Sequence, residues 1–235
     1  MPRRQCPPAR REVPVKSSWV YRNLPNTVSV LGVLPIALLL LEDGARFLVP
    51  LLIYNNIMDD LDVQLAVKLD LKSEFGATLD NLCDAVAHVF FVIFVGMTFG
   101  GVTLAFSMVA VVAILMRMTS RIVPPPRASA GSPTNELMRH LALVLVSTEF
   151  LGWSPQPWLL AVFAWNSVSM LVPYALPHSV RSLTKTTVGI AMVNVTLLVA
   201  WLVPEAAPVI AVCFLLPYLY SLTAGGIACR KRTEA

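Results

Sequence analysis

Apolar runs of helical length, separated by short clusters of breakers and charges, organise this chain from about residue 26 to its end. Crossing about 30 Å of hydrocarbon takes roughly 17 to 25 helical residues, and about eight stretches qualify. They are 26–41, 46–66, 75–97, 99–118, 137–153, 157–176, 186–203 and 207–227. Glu42-Asp43-Gly44, Lys72-Ser73-Glu74, Gly100-Gly101, the Pro124–Pro133 loop, Pro155 with Pro157, Pro177-His178 and Pro204 to Pro208 interrupt them, as turns require. The pattern predicts an all-α, polytopic integral membrane helix bundle.

Composition agrees. With 56% hydrophobic residues, 14% charged residues and a mean hydropathy of +0.69, the chain lies outside the range of soluble domains. A net charge of +4 invites a nucleic-acid partner, but the basic residues fall in short groups between apolar runs, which membrane topology explains better. If the N-terminus is cytoplasmic, eight spans put every Lys and Arg except Arg46 on the cytoplasmic side, as the positive-inside rule asks. The expectation is a protein of the cytoplasmic (inner) membrane with both termini in the cytoplasm. The basic, Pro-rich start has no small-residue cleavage site before the first apolar run and reads as a retained arm rather than a signal peptide. Within it, SSWVYRNLP mixes aromatic and basic residues as an interfacial helix does. Cys6, Cys83, Cys213 and Cys229 show neither CxxC nor ligand spacing and read as small apolar packers.

Against this background four aspartates stand out. Asp59 and Asp62 lie three apart at the end of the second span, and Asp80 and Asp84 four apart at the start of the third, so each pair shares a helix face. Unpaired in apolar surroundings, each would cost about 2.5 to 3.5 kcal/mol, so the four together would cost on the order of 10 to 14 kcal/mol. That is comparable to a whole domain's stability of roughly 5 to 15 kcal/mol. Bound cations remove most of this cost, and hard carboxylate oxygens suit Mg²⁺ or Mn²⁺. The alternative is a set of helix-end carboxylates solvated by the cytoplasm. Asp60 and Asp70 fall off the shared face and take that solvated assignment.

From Asp59 the chain reads DDLDVQLAVKLDLKSEFGATLDNLCD. This resembles the signature of the CDP-alcohol phosphatidyltransferase family, D-x-x-D-G-x-x-A-R followed after eight residues by G-x-x-x-D-x-x-x-D. Asp59, Asp62, Ala66, Gly76, Asp80 and Asp84 fall in register without a gap. SEFGATLDNLCD looks most like the phosphatidylserine synthase branch, and NLPNTVSVLGVLP is similar to the P-N-x-x-T/S opening of the family's first helix. Two positions depart: Val63 stands where the family has Gly, and Val67 where it has Arg. A Val isopropyl group intrudes on space that a glycine leaves to a ligand. The neighbouring Lys68 lies about 100° around the helix and lacks a planar fork.

The resemblance implies the CDP-alcohol phosphotransferase fold and a two-metal transfer of a phosphatidyl group from CDP-diacylglycerol to a small alcohol, L-serine favoured, with release of CMP. It implies that Asp59, Asp62, Asp80 and Asp84 form the site for Mg²⁺ or Mn²⁺, with Asp84 also taking the proton from the attacking alcohol. Asp84→Asn is then expected to abolish transfer and Asp60→Asn to be mild. Asp62, Ala66, Gly76, Lys68, Lys72, Arg117, Arg121 and Arg127 are the expected contacts to CDP or substrate. Gly76 reads equally as a helix start, and positive-inside topology alone accounts for Lys72, Arg117, Arg121, Arg127, Arg139, Arg181 and Lys185. Membrane lipids and a second copy of the chain are the expected partners, and nucleic acid is not.

On these expectations residues 1–25 form a cytoplasmic arm, 26–228 the transmembrane catalytic domain and 229–235 a basic tail. His88, one turn beyond Asp84, reads as a buried histidine bonded to a neighbouring helix, with contact to the site as the alternative. Glu149, Asn166 and Asn194 are expected to bond between helices. Two other classes fit parts of the pattern. A degenerate, non-catalytic relative would keep the scaffold without binding CDP or CMP, as Val63 and Val67 suggest. A cation transporter would place its acids nearer mid-membrane on broken helices.

Overall fold

The computed structural model describes residues 18–122, 133–172, 174, 176 and 186–233. Arg127, Arg181, Lys185, the arm before residue 18 and most of the proline-rich loop lie outside the described residues. Among the described residues the chain is entirely helical, with no strand.

A single helical turn, α1 (Trp19–Arg22), with Trp19 and Val20 exposed, leads into α2 (Leu24–Val33). Pro25 sits in the first turn of α2, where its missing N–H is not needed. Pro35 ends the α-helical hydrogen bonding, and the chain continues to Leu40 as a 3₁₀ segment. The first predicted run is therefore one element in two helical forms. A 3₁₀ turn over Gly44–Phe47 carries the exposed Arg46–Asp43 pair at 3.7 Å, as expected of a loop. Then come α3 (Leu48–Lys68) and α4 (Glu74–Phe99). Gly100 and Gly101, at φ 62° and 50°, make the reversal into α5 (Gly101–Ile122), a left-handed conformation open to glycine.

Helices α6 (Pro133–Leu151), α7 (Gln156–Leu171), α8 (Thr187–Leu202) and α9 (Ala207–Thr233) complete the bundle. α7 stops five residues before the predicted end of its run because Val172 precedes a proline and is extended. α6 begins earlier than its apolar run, at Pro133.

Two apolar clusters hold the helices together. Leu52, Phe91, Ile114, Leu141 and Phe163 join α3 to α7, and Ile53, Leu143, Val193, Leu197 and Phe214 join α3 and α6 to α8 and α9. α6 lies between the clusters, and its residues from Thr134 to Leu143 are all buried. The outer faces are apolar too. Val188, Met192, Val195 and Val199 line the outside of α8, and Leu104, Met108, Val112 and Leu115 that of α5. Stripes at this spacing suit lipid tails.

Among the described residues three helices, α4, α5 and the segment Pro204–Arg230, are long and apolar enough to cross a membrane by length and composition. Leu24–Leu40 and Thr187–Leu202 are apolar but shorter. The protein is an integral membrane helical protein.

Candidate functional site

The loop between α3 and α4 is short, so the end of one helix and the start of the other lie side by side. Asp70 occupies a left-handed position at φ 55° in that loop and is exposed, as expected. Ser73 caps α4 by accepting from the Gly76 N–H at 2.9 Å. A β-carbon on Gly76 would come within 3.0 Å of both Asn26 Oδ1 and Ser73 Oγ. The close approach at this glycine is therefore filled by the protein's own α2 and helix cap.

Carboxylate oxygens of Asp59, Asp62 and Asp80 lie within 4.8 Å of one another. The Asp62 and Asp80 carboxyls are in contact, and Asp84, 5% exposed, touches Asp59 from one turn further along α4. Charges this close repel unless cations or protons lie between them. Ser29 on α2 donates to Asp62 Oδ2, and Asn135 on α6 donates to Asp59 Oδ2, so each α3 acid is oriented by a neighbouring helix. Asp62 Oδ1 is buried without a hydrogen-bond partner. A convergent set of oxygens, one of them unpartnered, fits a divalent cation. Asp84 adjoins this three-acid set without being part of it.

The other expected site residues fall into groups. Ala66 is half-buried one turn past Asp62, while Lys68 and Lys72 are exposed at the same end of the bundle. The guanidinium of Arg121, at the end of α5, acts electrostatically on both Asp80 and Asp84. Arg117, one turn deeper, is buried. Arg139 is no surface arginine. It is 4% exposed, paired with Glu136 at 3.4 Å, and donates from Nε to Asn56 Oδ1 at 2.8 Å. Val63 and Val67 are 45% and 48% exposed, on the turns of α3 that follow Asp59.

Three expectations change. Asp60 is not simply solvated: Asn194 on α8 donates to its Oδ2 at 2.8 Å, because that side of α3 faces another helix. Glu149, expected to bond between helices, is exposed near the end of α6. Asn166 and Asn194 do bond across helices, to His140 and to Asp60. His88 is buried as expected, but its Nδ1 has no partner.

Ser29 and Asn135 were missed as site residues. Ser29 is the serine of the P-N-x-x-T/S segment, so a signal was present. Asn135 sits among the polar residues opening α6, where nothing marks one above another.

Residues 22–172 match the CDP-alcohol phosphatidyltransferase family. That stretch covers more than half of the chain and ends beside the last residue of α7. No curated protein matches the chain.

Proposed function

The chain belongs to the CDP-alcohol phosphatidyltransferase family, whose members transfer a phosphatidyl group from a CDP-alcohol to an acceptor, and from that premise we propose that it moves a phosphatidyl group from CDP-diacylglycerol to a small polar alcohol, L-serine first, releasing CMP. The observation that carries this reading is the convergence of Asp59, Asp62 and Asp80 at one end of α3 and α4, with Asp84 against Asp59.

In this reading Asp59, Asp62 and Asp80 hold Mg²⁺ or Mn²⁺. When bound, two such cations neutralise the diphosphate and the charge gathering on the departing CMP. Asp84 accepts the proton of the acceptor hydroxyl as its oxygen bonds to the β-phosphorus and the bond from that phosphorus to the CMP oxygen breaks. Ser29 and Asn135 keep Asp62 and Asp59 turned inward. Arg121, whose charge acts on Asp80 and Asp84, meets the phosphates, and Lys68 and Lys72 attract the anionic headgroup at the mouth. The site faces the cytoplasm, the lipid enters sideways from the inner membrane, and the chains pair as homodimers, which cross-linking in membranes would reveal.

CMP release by purified protein with CDP-diacylglycerol and Mn²⁺ or Mg²⁺ tests this, with serine, inositol, glycerol 3-phosphate and water as acceptors. Serine-dependent CMP is expected, with activity lost to a chelator and restored by either metal. The exposed valines favour a second reading, a non-catalytic relative. No turnover with any acceptor, in protein shown to be folded, would select it.

A further inference from the structure

Helix α8 lies beyond the stretch that matches the family, yet it reaches the helix bearing the first two acids. Asn194 donates from Nδ2 to Asp60 Oδ2 at 2.8 Å and accepts from Asn56 Nδ2 at 2.6 Å. Asn56 in turn accepts from Arg139 on α6. Near the end of α3, Thr187 donates to Gln64 at 2.8 Å. The bonds of Asn194 to Asp60 and Asn56 reach α3 from α8, while Asp59 bonds Asn135 on α6 and Asp62 bonds Ser29 on α2.

We propose that Asn194, acting through Asp60 and Asn56, is a positioning residue that fixes the rotation of α3 and thereby sets how tightly the acid cluster binds a divalent cation. Asp60 follows Asp59 by about 100° around the helix, so whatever holds one carboxylate aims the other. With side-chain tips about 5 to 6 Å from the helix axis, a rotation of about 20° displaces a carboxylate by about 2 Å. That equals a whole metal–oxygen distance of about 2 Å for Mg²⁺. Helix-to-helix hydrogen bonds of this kind contribute only about 0.6 kcal/mol on average to membrane-protein stability. Loss of one should therefore register in cation affinity before it registers in folding.

The role presupposes the cation site proposed above. The test is Mn²⁺ titration of the full chain in detergent, followed by electron paramagnetic resonance, with thermal unfolding measured on the same samples. Asn194→Leu is expected to weaken Mn²⁺ binding by about 10-fold or more at a melting temperature close to wild type. Asn194→Asp sets two carboxylates against each other and is expected to weaken it similarly. Adding Asp60→Asn to Asn194→Asp restores a donor facing an acceptor, with Asn56 still donating, and should return affinity to the wild-type range. Wild-type affinity in Asn194→Leu overturns the positioning role, as does a double variant that folds but stays weak. If Asn194→Leu does not fold, the Asp pair alone decides. Wild-type protein that binds no Mn²⁺ overturns the cation site itself, and the positioning role with it.

Discussion

Asp84 differs from its three companions in position: buried like Asp62, it lies one turn further along α4 than Asp80 and touches Asp59. In the proposed mechanism that is the place of the proton acceptor. Asp84→Asn keeps the shape and removes the proton acceptor, so CMP release should fall by about 10²- to 10⁴-fold with Mn²⁺ affinity largely kept. Paired kinetics and Mn²⁺ titration check this, and equal loss of both would reassign Asp84 as a ligand. Val67 supports a prediction in the opposite direction. Its exposed position admits a longer side chain, and Val67→Arg supplies the fork that the family signature has there. A charge-assisted hydrogen bond is worth about 1.5 to 3 kcal/mol, so CMP should bind about 10-fold tighter or better in calorimetry. The pairing of Asp59 with Asp62 and of Asp80 with Asp84 on shared helix faces was legible from spacing, because helical periodicity fixes which residues share a face. Joining the two pairs into one site rested on the resemblance to the family signature. Asp60 was not legible, because the neighbour on its own side of α3 comes from a helix more than a hundred residues away, which periodicity cannot name.

At the scale of elements, apolar length located most helices, since breakers ended them where expected. It missed only the first turn of α6, whose residues are polar and are buried by neighbouring helices. Glu136 and Arg139 there form an ion pair with side chains 3% and 4% exposed. Removing one partner of such a pair costs about 3 to 5 kcal/mol, because the other charge is left buried. Arg139→Leu should therefore lower stability by roughly that amount in denaturant titration, and Arg139→Leu with Glu136→Leu should recover most of it. The kink in form at Pro35 was likewise outside what hydropathy reports: the run is continuous, and only the missing N–H changes the helix.

The whole molecule alternates its helix ends. Ser29, the start of α4, Asn135 and Thr187 gather with the acids at one end, whereas Gln156 at the start of α7 bonds the Phe99 carbonyl at the other, at 3.2 Å. Among the described residues three helices are long and apolar enough to cross, and the alternation supports the proposal that the remaining long helices cross as well. α3 has 21 residues, about 31 Å of helix, and falls short on composition through the very acids that form the site. The stretch of α6 from Thr134 to Leu143 is enclosed by its neighbours and has no need of an apolar surface. Eight crossings with cytoplasmic termini place Asp43 and Ser154 outside, and Asp70 inside with the acid cluster. Single cysteines at these positions, in a chain whose four native cysteines are replaced, should react with a membrane-impermeant maleimide at 43 and 154 in intact cells, and at 70 only after permeabilisation. Labelling of 43 and 70 from the same side would remove α3 from the set of crossings. It would also move the carboxylates away from the leaflet where the lipid substrate is proposed to enter.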